Sequence, residues 1–169
     1  MSIRHTVIDS PLDDLTLAAE GDALTGLYFQ GHWPRPAKNG FGPRVDADTD
    51  PLLAEAQNQL CDYLVGARTT LDLPIDPRGD ITQRRVWEQL TTIPYGATAT
   101  YGELADTAGG LTAREIGQIV GRNPLSIVIP CHRVVGKAGR LTGYAGGVAR
   151  KKLLLDLEEP AELRAARLF

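Results

Sequence analysis

The residues with the clearest chemistry are Cys131 and His132, within the run Ile127-Val-Ile-Pro130-Cys131-His132-Arg133-Val-Val135. A thiol is a weak nucleophile until it becomes a thiolate, and a neighbouring imidazole or cation lowers its pKa. Pro130 cannot donate to a strand ladder, so the β-branched run is predicted to end there and present Cys131 at the end of an extended segment. Adjacent residues of an extended chain point in different directions. A water between Cys131 and His132 is therefore as compatible with the spacing as direct contact. An isolated cysteine is most often a structural thiol, and only the polar company of Cys131 sets it apart. Cys61 borders an apolar helical stripe with no such company and is read as core. Two cysteines are too few for a disulfide framework or a Cys-rich zinc site.

The elements that must hold this segment fall into two groups. In the first, short apolar runs at 4–8, 15–18 and 24–29, separated by Asp- and Gly-containing turns, predict an antiparallel meander. A Pro- and Gly-rich loop follows to residue 50. The stripe Leu53, Ala56, Leu60 and Leu64 then predicts a helix over 51–66, and 69–73 reads as a further strand. Residues 74–79 read as a linker. In the second group, Asp80 with Gln83, Thr100 with Glu103 and Thr112 with Glu115 each have the capping-box spacing that opens a helix. The second of these helices ends at Gly109-Gly110 and the third runs to Gly121, a helix-turn-helix layout. A last helix fits 148–158. The expected architecture is α/β, with a supporting domain over 1–76, a mostly helical, winged-helix-like domain over 77–160 and a tail over 161–169.

The chain has 169 residues, is 43% hydrophobic and carries a net charge of −3, the composition of an ordinary globular protein. No apolar run approaches the roughly 20 residues that span a bilayer, and the start lacks the apolar stretch of a secretion signal. A cytoplasmic protein without a membrane partner is expected. The charge is uneven. Residues 81–150 hold eight basic side chains (Arg84, Arg85, Arg114, Arg122, Arg133, Lys137, Arg140, Arg150) against four acidic ones. That basic segment is compatible with an anionic partner, or with scattered solvated charges.

The run Pro130-Cys131-His132-Arg133-Val134 resembles the signature of the O6-alkylguanine-DNA alkyltransferases. Ile93-Pro-Tyr-Gly96, Thr100-Tyr101-Gly-Glu-Leu-Ala105, Asn123-Pro124, Gly143-Tyr144-x-Gly146-Gly147 and Lys151-x-x-Leu154-Leu155-x-x-Glu158 follow in that family's order and spacing, over about 80–158. The resemblance implies stoichiometric repair. The alkyl group of an O6-alkylguanine in double-stranded DNA would move irreversibly to Cys131, with no cofactor. His132 would be the base, acting through a water, and Glu158 would orient it. Tyr101 would donate a proton to the leaving guanine, and Asn123 would tie the recognition helix to the cysteine loop. Val134, Tyr144, Ala145 and Gly146 would line the base pocket. Arg114 would fill the space left by a flipped nucleotide, and Ala113, Gly117 and Gly121 would let their helix approach the minor groove. A monomer that clusters on DNA is expected.

Glu115, Gln118 and Ile119 are bulkier or more acidic than the family's pattern beside Arg114, and Ile81 replaces an aromatic. Glu115 has an alternative task in its capping box. Some family members bind zinc in the N-terminal part, but His5 and His32 have no nearby cysteine here, so no metal is expected. Two other classes stay open: a non-enzymatic DNA-binding module, which would not need the thiol, and a Cys–His–Glu hydrolase, which would turn over many times.

Overall fold

The computed structural model describes residues 2–31, 38–160 and 162. The expectation for His32 and most of that for the tail therefore lie outside the described residues. Three strands, β1 (Ile3–Ile8), β2 (Leu15–Glu20) and β3 (Ala23–Phe29), form an antiparallel sheet in that order. β2 is buried along nearly its whole length because both faces of the sheet are covered. One face joins the main core with Leu15, Leu17 and Ala19, and the other packs Ala18 against Tyr28 and Phe41.

Helix α1 (Pro51–Leu64) lies against this sheet. Asp50 caps its start, accepting from the Leu52 and Leu53 amides, and also pairs with Arg4 of β1 at 2.6 Å. The expected stripe Leu53, Ala56, Leu60 and Leu64 is buried, and Cys61 at its border is half-buried rather than core. The strand expected over 69–73 is absent. The backbone of Asp72 is satisfied by the Gln59 side chain of α1, through bonds of 2.8 and 3.1 Å, and so has no need of a ladder. The free edge of β3 is taken instead by bridges from Leu24 to Ile75 and from Leu27 to Leu125. The second bridge fastens the sheet to the approach of the cysteine loop.

The remaining helices are α2 (Ile81–Leu90), α3 (Tyr101–Ala108), α4 (Ala113–Gly121) and α5 (Val148–Glu158). All three expected capping boxes form with both reciprocal hydrogen bonds. Glu115 thus folds back onto the Thr112 amide at 3.1 Å, the alternative task its spacing offered. α3 and α4 are joined through Gly109 and Gly110, both at positive φ, a tight turn that favours glycine. Trp87 of α2 is buried and donates its indole N–H to the Ile119 carbonyl at 2.9 Å, fixing α4 on α2.

A two-residue parallel ladder between β4 (Ala99–Thr100) and β5 (Val134–Val135) joins the start of α3 to the segment just after Cys131. One contiguous core runs through both halves, from Leu24 and Leu60 to Leu90, Leu125 and Leu154. Among the described residues no helix is long and apolar enough to cross a membrane.

Candidate active site

Glu158 is the last residue of α5, where the helix dipole disfavours an acid. Its carboxylate is buried and fully engaged. Oε2 lies 2.7 Å from His132 Nε2, and Oε1 accepts from Arg133 Nε at 2.8 Å. Arg133 Nη2 also reaches Oε2 at 3.2 Å, and the Tyr63 hydroxyl from α1 donates to the same oxygen. Burial alone would raise the Glu158 pKa, but the hydrogen bonds from His132, Arg133 and Tyr63 and the charges beside it bring it down to about 2. The group is an anion at neutral pH and can only accept. His132 Nε2 must therefore carry the proton, which leaves Nδ1 as the lone-pair nitrogen. Nδ1 is buried without a protein partner. Burial also lowers the His132 pKa, so the ring rests neutral, in the form a base requires.

Cys131 opens a one-turn 3-10 helix, Cys131–Arg133, instead of ending an extended segment. The β-branched run before it is not a strand. Ile127 sits at φ 72, a left-handed conformation costly for a branched side chain. Asn123 holds this loop from both sides, donating to the Ile129 carbonyl at 2.9 Å and accepting from the Leu125 amide at 3.0 Å. It therefore joins the end of α4 to the cysteine loop.

Burial pushes the Cys131 thiol up, while the Asn123 amide, the Lys151 charge and the Tyr144 hydroxyl favour the thiolate. The resting state is thus a thiol that needs a base. Lys151 of α5 is fully buried, donates to the Thr142 carbonyl at 3.2 Å and has its Nζ 6.0 Å from the centre of the Tyr101 ring. The Tyr144 hydroxyl is buried between the thiol and Ser126 Oγ, also buried, interacting with both but with no well-aligned hydrogen bond.

Outside this buried set lies a groove of about 1000 Å³. Tyr101, Ala113, Arg114, Gly117 and Gly121 line one side, and Thr142, Tyr144 and Ala145 the other. Thr142 Oγ1 donates to the Tyr101 hydroxyl at 3.2 Å across it. Gly117 has the Tyr101 ring 3.8 Å from where a Cβ would stand, and Gly121 faces open space. Val134 and Gly146 do not line the groove. Val134 is buried in β5, and a Cβ on Gly146 would collide with the Phe29 ring at 2.4 Å. Two of the eight basic residues of 81–150 are not free surface charges. Arg133 is buried against Glu158, and Arg150 is committed to Asp13, Gln30 and Gly146. The exposed cations of that segment are Arg84, Arg85, Arg114, Arg122, Lys137 and Arg140.

Among the described residues no cluster of three or more His, Cys, Asp or Glu could hold a metal. His5 instead places Nδ1 3.0 Å from the Gly42 carbonyl. Tyr63, Ser126 and Lys151 complete the polar shell, yet none was singled out from sequence for this site. Only Lys151 carried any signal, as part of the family's spacing.

A buried thiol with its own neutral imidazole, set behind a groove framed by a helix-turn-helix, defines a nucleophilic-cysteine protein built on a DNA-binding motif. Comparison with known proteins sharpens that class. Residues 3–77 match the family described as "6-O-methylguanine DNA methyltransferase, ribonuclease-like domain", and residues 81–160 match "6-O-methylguanine DNA methyltransferase, DNA binding domain". A Mycobacterium tuberculosis protein named methylated-DNA–protein-cysteine methyltransferase is 44% identical over 165 residues, covering 95% of this chain and 97% of its own. A constitutive Bacillus subtilis protein of the same name is 38% identical over 160 residues, with coverage of 91% and 94%. The crystal structure of Mycobacterium tuberculosis OGT in complex with DNA has a TM-score of 0.82 at 43% identity, covering 95% of this chain and 97% of that one. The chain belongs to the 6-O-methylguanine DNA methyltransferase family.

The Glu158 arrangement predicts a specific pH dependence of stability. Its folded pKa of about 2 lies below the ordinary 4.5, so its contribution is complete above the ordinary value and is lost as pH falls toward 2. Glu158→Gln is expected to destabilise the fold by about 3 kcal/mol at neutral pH, by leaving the buried Arg133 unpaired. It should also flatten the acid loss of stability between the two pKa values. Denaturant unfolding across that range checks this, and equal slopes in both proteins would mean that Glu158 is not ionised in the fold.

Proposed function

We propose that the protein reverses DNA alkylation damage directly, as a methylated-DNA–protein-cysteine methyltransferase in which Cys131 is consumed. The observation that carries this reading is the buried Cys131, followed in the same turn by a neutral His132 bonded to the ionised Glu158, with Tyr144 linking the thiol to the groove between α4 and residues 142–145. His132 Nδ1 takes the thiol proton through a water. The Cys131 sulfur attacks the alkyl carbon, the carbon–oxygen bond breaks, and its electron pair passes to the guanine. Tyr101 protonates the departing ring, and the proton taken by His132 passes back through solvent to the Tyr101 phenolate, so the thiol loses one proton and guanine gains one. A soft sulfur suits displacement at saturated carbon. The thioether product offers water no good leaving group, so each molecule acts once.

The damaged base must leave the duplex to reach a buried thiol. In this reading Arg114, exposed on α4, occupies the vacated space, while Ala113, Gly117 and Gly121 let the helix sit close to the minor groove. Tyr144 and Ala145 contact the base directly. Val134 and Gly146 support that pocket from behind, since neither reaches the groove. Exposed cations spread over the segment supply salt-dependent attraction to phosphates without base-specific readout. Residues 1–76 act as the supporting domain and 77–160 as the reacting and DNA-binding domain, in a cytoplasmic monomer able to cluster on DNA.

Intact mass after incubation with methylated duplex DNA tests the reading. One added methyl group, mapped to Cys131 and lost in Cys131→Ser with DNA binding retained, is the expected result. No mass increase, or many products released per protein, would overturn it in favour of the binding module or the hydrolase. Arg114→Ala should slow repair of duplex DNA by on the order of tenfold or more while sparing reaction with the free modified base. Rate measurements on both substrates check this, and equal losses would remove the extrusion role.

A further inference from the structure

Tyr63 stands apart from the machinery just described. It lies on α1, in the sheet-bearing N-terminal half, 95 residues from Glu158 in sequence. Its side chain is 2% exposed, and its ring meets Tyr95 edge-on at 5.8 Å. A phenylalanine would fill that space equally well, so the hydroxyl is the informative atom. It donates to Glu158 Oε2, the same oxygen that faces His132 Nε2, and accepts from Arg133 Nη2 at 3.2 Å. Burying a phenol without a partner is costly, and one placed against a carboxylate makes a charge-assisted bond.

We propose that Tyr63 is a positioning residue of the transfer reaction: its hydroxyl shares Glu158 Oε2 with His132 and so sets how much of the carboxylate's charge, and which orientation, the imidazole receives. This rests on the reading of His132 as the base. A carboxylate oxygen has a limited capacity to accept. Each donor weakens the others' bonds to it, and each also fixes the direction of its lone pairs. Burial and the Glu158 charge push the Tyr63 pKa up, so it remains a neutral donor throughout the working range. The groups facing the carboxylate are Tyr63 from α1 and His132 and Arg133 from the 3-10 turn, with Tyr144 adding a longer-range interaction. Lys151 of α5 and Arg133 both act on His132 by repulsion. Of these, only Tyr63 couples the N-terminal half to the carboxylate.

The test is the pH profile of single-turnover methyl transfer from a methylated duplex oligonucleotide, using the full chain. In Tyr63→Phe, Glu158 gives more of its charge to His132, the imidazolium is favoured, and the acid limb moves up by about half a pH unit or more. The plateau rate falls by on the order of tenfold because the carboxylate loses an anchor. DNA affinity stays unchanged. Site-specific 3-fluorotyrosine at position 63 keeps the shape and donates more strongly, so it shifts the limb the opposite way, and it serves where Tyr63→Phe does not fold. Opposite shifts support the proposal. A folded variant, of either kind, with the wild-type profile and plateau overturns it. A wild-type protein that transfers no methyl group would instead sink the functional reading.

Discussion

A carboxylate removed from water must be given donors in place of the solvent it lost, and at Glu158 the protein supplies three side chains from two other parts of the chain. Tyr63 comes from α1, His132 and Arg133 from the cysteine turn, and the acid itself from the end of α5. Each bond holds the ion in place and is in turn fixed by it. Arg133 extends the network to the Ile93 carbonyl at 2.6 Å, and at Gly96, with φ 84, an added Cβ would stand 3.1 Å from the Glu158 carbonyl oxygen. The halves of the molecule therefore meet at a charge as well as across an apolar core. A buried pair of this kind contributes little net stability, but it is strongly disruptive when broken. Its value here lies in the single tautomer it imposes on His132.

That tautomer divides the labour around the thiol. The imidazole is held neutral by burial, and the thiol is held protonated by the same burial. In the proposed reaction neither is spent until a substrate brings the alkyl carbon within reach. Lys151 and Asn123 bias the site toward the thiolate without forming it in advance. A reagent that can be used only once gains from this restraint, because a free surface thiolate would be lost to other electrophiles.

Local polar geometry was legible in the sequence. The three capping boxes need only four consecutive residues each, and all three helices start where that spacing places them. The strands of the meander and the end of α5 were likewise set by short-range pattern. What failed was long-range. Residues 69–73 have a strand's alternation, but Gln59 satisfies the Asp72 backbone from another element. The run before Pro130 has strand-forming residues, yet Asn123 folds it into turns around a strained Ile127. Arg133 counted as surface charge until the fold buried it against Glu158. Cys131 and His132 stood out by residue type and adjacency, Glu158 and Asn123 were reached through a family's spacing, and Tyr63 has no local signal at all.

The central claim is that an ionised Glu158 holds His132 neutral, with its proton on Nε2 and Nδ1 free. Nitrogen-15 NMR of the histidine side chains reads this directly, with the His132 signals assigned by their loss in His132→Gln. The account predicts the neutral Nε2–H tautomer at pH 7, protonating only below the ordinary histidine pKa of 6.5. A proton on Nδ1, or an imidazolium at pH 7, would contradict it.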